Sequence, residues 1–145
     1  MYMMGNSNFR ILNWDESSRV LKNVIGCEPR QLANISHSEK NKPLYCKRIN
    51  GWQHFNDEGV FAIINGSLYL ESDVYIICDI SYSQCKGVFH LKSSEVSAYV
   101  SNYYDTFGEY LFEDDVYFIF PKNKKLLVYQ YEGYHMLYSL PLTHL

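Results

Sequence analysis

Cysteine, proline and tryptophan are scarce in this chain of 145 residues, which has four, four and two of them. The cysteines, Cys27, Cys46, Cys78 and Cys85, include no Cys-x-x-Cys pair, so they read as small buried hydrophobes of a reducing compartment, Cys78 inside an apolar run most plainly. Long hydrophobic runs are missing too. None exceeds the five residues of Val60–Ile64, Val74–Cys78 or Val116–Phe120, far below the roughly 20 that a membrane helix needs. The opening Met1-Tyr2-Met3-Met4-Gly5-Asn6 lacks a basic or an apolar leader region, which predicts a cytoplasmic protein. No Gly-x-Ser-x-Gly elbow and no glycine-rich loop after a strand is present, so hydrolase and nucleotide-binding readings have no support. The lysines and arginines form no stripe and the isoelectric point is near 5.9, which argues against nucleic acid as a partner.

What is present is a folding composition: 47% hydrophobic and 17% aromatic residues, with fourteen Tyr and eight Phe. A chain of this length buries roughly two-thirds of its unfolded surface without staples, which predicts a single domain over 1–145. The net charge of −3 conceals an asymmetry. Residues 1–56 carry eight basic against four acidic side chains, residues 57–115 two against eleven, and residues 116–145 three against one. The middle segment therefore projects a negative field wherever its side chains share a face, and such a field suits a basic protein or a cation.

Periodicity orders the elements. Asp15 is placed to cap a short helix with Val20, Leu21, Val24 and Ile25 on one face and Gly26 at its end. Pro29 can open a second short helix, and His37 to Pro43 reads as a polar loop. Asn65-Gly66 between Val60–Ile64 and Leu68–Leu70 has the form of a tight hairpin turn. A strand follows over Val74 to Ile80 and another over Val88 to Leu91. A helix from Ser94 to Phe107 carries the stripe Val96, Tyr99, Val100, Tyr103 and Phe107 and stops at Gly108. Asp115 to Phe120, Leu126 to Tyr131 and Tyr134 to Leu140 are the last strands, and alternation over residues 127–132 predicts one wetter side. These elements predict an α+β fold: a mostly antiparallel sheet of about six or seven strands, one long helix on a face and a short N-terminal helix.

Candidate chemistry is thin. Cys27, His37 and Cys46, with His54 as a distant fourth ligand, match no common zinc spacing. Glu132 and His135 have the Glu-x-x-His spacing of di-metal bundles but straddle a turn and have no second copy. Neither pattern predicts a metal, and no cofactor or catalytic residue is predicted. His54 beside Asp57 and Glu58 could form an acid/base pair, which is the basis of an alternative reading as a small enzyme. The most informative stretch is Glu109-Tyr110-Leu111-Phe112-Glu113-Asp114-Asp115, where four carboxylates bracket Tyr110, Leu111 and Phe112 just past a helix end. Anions there oppose the helix dipole, a local cost of the kind that marks function. Glu109, Tyr110, Phe112, Glu113, Asp114 and Asp115, joined by Asp57, Glu58, Glu71 and Asp73, are expected to form an acidic surface studded with aromatic residues that binds a partner.

The helix Ser94 to Phe107, the strands over 115–120 and 126–133, and the acidic, Tyr- and Asn-rich build without a catalytic motif together resemble the immunity proteins of bacterial polymorphic-toxin and contact-dependent growth-inhibition systems. That resemblance implies a tight inhibitor of a cognate toxin, often a nuclease, made in the same cell. Inhibitors encoded by phages or mobile elements share the profile. A homo-oligomer joined through strand edges is a further alternative. An acidic surface agrees with the first reading, because the substrate cleft of a nuclease is commonly basic. The expected partner is thus a basic protein toxin, with neither nucleic acid nor membrane bound.

Overall fold

The computed structural model of the protein describes residues 9–69 and 72–143. Seven strands form one sheet: β1 (Arg10–Leu12), β2 (Tyr45–Arg48), β3 (Asp73–Ile77), β4 (Val88–Lys92), β5 (Val116–Phe120), β6 (Lys125–Tyr129) and β7 (Tyr134–Ser139). Their spatial order is β1-β4-β3-β5-β6-β7-β2, with every neighbouring pair antiparallel. Four α-helices accompany them: α1 (Trp14–Ile25), α2 (Asp57–Ile64), α3 (Asp79–Ser83) and α4 (Val96–Phe107). This is the α+β architecture that the periodicity predicts. No described helix is long and apolar enough to cross a membrane.

The central strands of the sheet are sealed on both faces. In β5, Val116, Phe118 and Phe120 point to the side covered by α2 and α4, while Tyr117 and Ile119 point to the side covered by α1 and the 3-10 helix Pro29–His37. All five are at most 3% exposed. A strand buried on both faces reads as a continuous apolar run, which explains Val116–Phe120. The expected wet side of β6 is absent for the same reason: Leu126 and Val128 enter one core, Leu127 and Tyr129 the other. The strand ends at Tyr129, so Gln130 and Glu132, the polar members of the expected wetter side, lie beyond it with Tyr131.

Other expectations change in detail. Asn13, not Asp15, caps α1: its Oδ1 accepts the Glu16 N–H at 2.8 Å, and the Glu16 carboxylate accepts the Asn13 N–H at 3.0 Å. Residues 60–64 form no hairpin. They belong to α2, because Asn56 caps the Gly59 N–H at 2.8 Å, Asp57 and Glu58 occupy the first turn, and Val60 and Ile64 lie four apart on the buried side. Asn65 is right-handed helical at φ −55, where a tight hairpin turn requires positive φ. Of the expected second strand, Leu70 lies outside the described residues. The strand from Val74 stops at Ile77, since the Ser81 Oγ accepts the Cys78 N–H at 3.0 Å and opens α3. The edge strands β1 and β2 were absent from the periodicity reading, being three and four residues long and largely exposed. The long helix keeps its predicted face: Val96, Tyr99, Val100 and Tyr103 are at most 2% exposed, and Gly108 ends it in the left-handed conformation. Of the four cysteines expected to be buried only Cys78 is, with its Sγ 3.3 Å from the Tyr103 hydroxyl; Cys27 is half-buried, and Cys46 and Cys85 are exposed.

Candidate binding surface

The register Ile77 opposite Tyr117 and Val116 opposite Tyr129 brings the end of β3, the start of β5 and the end of β6 to one rim of the sheet. Three loops meet there: residues 50–57 leading into α2, residues 108–115 leaving α4, and the turn 130–133.

Asp57 ties the first two loops together. Its carboxylate accepts the N–H of Leu111 at 2.7 Å and of Phe112 at 3.0 Å, fixing the 3-10 turn Leu111–Glu113 against α2. Burial raises its pKa, the two backbone hydrogen bonds oppose that rise, and Glu58 adds to it. Asp57 is 8% exposed, so it stands beneath the surface.

Above it opens a cavity of about 480 Å³. Phe112 and Tyr129, in edge-to-face contact at 4.9 Å, are buried at its base. Phe55, Tyr110 and Tyr131 are 42%, 45% and 53% exposed at its mouth, and Tyr110 stacks on Tyr104 at 4.5 Å. Trp52 forms another wall and leans on Gly133, whose φ is +89. A Cβ at position 133 would lie 2.7 Å from the Trp52 Cβ and Cγ, so only glycine admits the indole there. Glu113 is the exposed carboxylate of the lining; His54 lines it too, and no lysine or arginine does.

Across Tyr131 lies a shallower hollow of about 330 Å³, lined in part by Asp79, Asp114 and Asp115. The Asp115 carboxylate accepts the Tyr131 N–H at 3.0 Å and so anchors the turn that separates the two hollows. Asp79, Glu109 and Asp114 offer carboxylate oxygens within 4.8 Å of one another, the one such set of potential ligands among the described residues. Glu109 is pushed up to about 7, first by burial, then by its hydrogen bond to Asp79 and by repulsion from Asp79, Asp114 and Glu113. Asp114 is raised by burial and by Asp79, Glu113 and Asp115. An all-oxygen set of this kind suits a hard cation or a cationic side chain.

The structure thus joins Glu109, Tyr110, Phe112, Glu113, Asp114 and Asp115 on one rim, with Asp57 beneath them. It does not join the rest of the expected cluster. Glu58 accepts a hydrogen bond from the Ser101 Oγ at 3.2 Å on the outside of α2 and α4. Asp73 starts β3, at the opposite end of that strand from Asp79, and pairs with His90 at 3.2 Å. Both placements follow from residues 57–64 being helical, since a hairpin there was to have carried these acids to the rim. Glu71 lies outside the described residues. Asp79, Trp52, Tyr129 and Tyr131 were absent from the sequence-derived surface. Asp79 could have been found from its place just past an apolar strand, but only with the β3–β5 pairing known; Trp52 carries no local signal. Cys27, His37, Cys46 and His54 form no ligand set among the described residues, nor do Glu132 and His135.

Compared with known protein families, curated proteins and solved structures, the chain matches none.

Proposed function

We propose that the protein is an inhibitor of the immunity-protein kind, which holds a basic face of a cognate toxin against this rim. One observation carries the reading: an aromatic cavity with exposed rings at its mouth lies beside a group of carboxylates that repel one another and, among the described residues, form no ion pair with a lysine or arginine. Aromatic residues at a rim are suited to act as desolvated anchors, and the acids to steer a basic partner and set its orientation. Burial is the first cause that lifts Glu109, and binding of a cation would relieve the repulsion that adds to it. The enzyme alternative is left with less to work on, because both carboxylate oxygens of Asp57 are engaged by backbone N–H groups and Glu58 turns to Ser101.

The test is protection of cells that express the product of each open reading frame neighbouring this gene, together with association kinetics of any purified pair that shows protection. Glu113→Lys with Asp114→Lys should slow association at least tenfold at low salt, and added salt should shrink the difference. Asp115 stays native in that variant because it holds Tyr131. Protection and rates unchanged by the double substitution would overturn the reading.

A further inference from the structure

The chain already has a way of using aromatic faces. Arg30 lies 5.5 Å above the Trp14 ring, Lys47 5.0 Å from Tyr45 and Arg48 4.8 Å from Tyr134. Each is a cation set over a ring near the surface, an arrangement favoured by the negative face of the aromatic system. The rings around the 480 Å³ cavity are different: among the described residues no lysine or arginine lies over any of them. They also have a carboxylate at hand. The Glu113 carboxylate is exposed and makes no hydrogen bond or ion pair among the described residues, whereas that of Asp57 is already held by Leu111 and Phe112. Beyond Tyr131 the Asp79, Glu109 and Asp114 carboxylates add further negative potential.

Building on the inhibitor reading, we propose that this cavity is the anchor site for one arginine side chain of the partner, its guanidinium stacked on the aromatic wall and paired with Glu113. Arginine fits better than lysine on three counts. Its planar group stacks on Tyr, Phe and Trp faces, it is less strongly hydrated than an ammonium and so enters a cavity walled by rings at lower cost, and its fork pairs with a carboxylate through two parallel hydrogen bonds. A neutral side chain of the same shape forgoes both the charge pairing and the attraction to the rings. Trp52, which forms one wall, reports on occupancy.

The experiment uses the full chain carrying Trp14→Phe, so that Trp52 is the only indole. A Gly-Arg-Gly peptide with blocked ends is titrated at low salt while Trp52 fluorescence is followed, in parallel with twins that carry citrulline or lysine in place of arginine. The arginine peptide should give a saturable change, with the citrulline twin at least tenfold weaker and the lysine twin between them. Glu113→Gln and Tyr131→Leu should each weaken the arginine peptide at least tenfold with the circular dichroism unchanged. No saturable response, equal binding of arginine and citrulline, or indifference to both substitutions would overturn the anchor. Arginine binding without protection of toxin-expressing cells would sink the inhibitor reading and leave the anchor standing; protection without arginine binding would do the reverse.

Discussion

Replacing Asp57 with Ala is the most direct probe of how the rim is built. The side chain is nearly buried and accepts two backbone N–H groups from a segment 54 and 55 residues away in sequence. Its loss would leave those two donors without an acceptor, at about 1–3 kcal/mol each when fully buried. It would also remove a carboxylate from the first turn of α2, worth about 0.3–1 kcal/mol. Water entering from the adjacent cavity offsets part of this, and truncation ends the desolvation that raises the carboxyl's pKa. The net expectation is about 2–4 kcal/mol. Asp57→Asn keeps one acceptor oxygen and should lose about half as much. Urea denaturation followed by circular dichroism measures both, with Glu58→Gln as the control, since that exposed residue should cost under about 0.5 kcal/mol. A loss below about 1 kcal/mol for Asp57→Ala, or equal losses for Asp57→Ala and Glu58→Gln, would refute the clamp. The denaturant slope should stay constant; a change would mean that the substitution had altered the compactness of the denatured or native state or broken two-state unfolding.

Three further outcomes are expected. Glu109 ordinarily ionises near 4.5 and in the folded chain is pushed up to about 7, so the folded state holds the extra proton and stability falls as the pH rises between those values; Glu109→Gln should remove that part of the slope in melting temperature, and parallel curves would mean that the carboxylates do not cluster. Tyr103→Ala should cost about 3–5 kcal/mol, the side chain being 1% exposed between Tyr99 and Phe107, whereas Asn102→Ala, which forfeits a hydrogen bond to the Ala98 carbonyl on a half-buried site, should cost about 1 kcal/mol; equal losses in denaturation would contradict the packing of α4. Gly133→Ala should cost about 1–3 kcal/mol and shift the fluorescence of Trp52 in a Trp14→Phe background, and an unmoved spectrum would show that the indole does not rest on that glycine.

The elements legible from sequence were those whose signal is local and strong. The stripe of α4 repeats over three turns and ends at Gly108, and the runs of β3, β5 and β6 are too short and too rich in β-branched and aromatic residues for buried helices. What misled was local chemistry with two meanings. Asn65-Gly66 is a hairpin turn only if the flanks are extended, and the cap at Asn56 had already committed the upstream flank to a helix. The rim was half legible for a related reason. Its contiguous part, Glu109 to Asp115, could be read along the chain, but the contributions of Asp79, Trp52 and Tyr131 depend on which strands lie side by side, and that is settled by packing across the whole sheet.

A sheet whose central strands are closed on both sides has little room to change. Neighbours such as Phe118 and Ile119 face opposite cores, so neither side of the strand is free of packing constraints. The rim is under no such double constraint. Phe55, Tyr110, Glu113 and Tyr131 project from loops into solvent, where an exchanged side chain leaves the cores as they were. Under the proposed function the exposed rim residues would vary with the partner while the scaffold stands still, and the cavity base of Phe112 and Tyr129, which belongs to the core, would be the part of the surface least able to change.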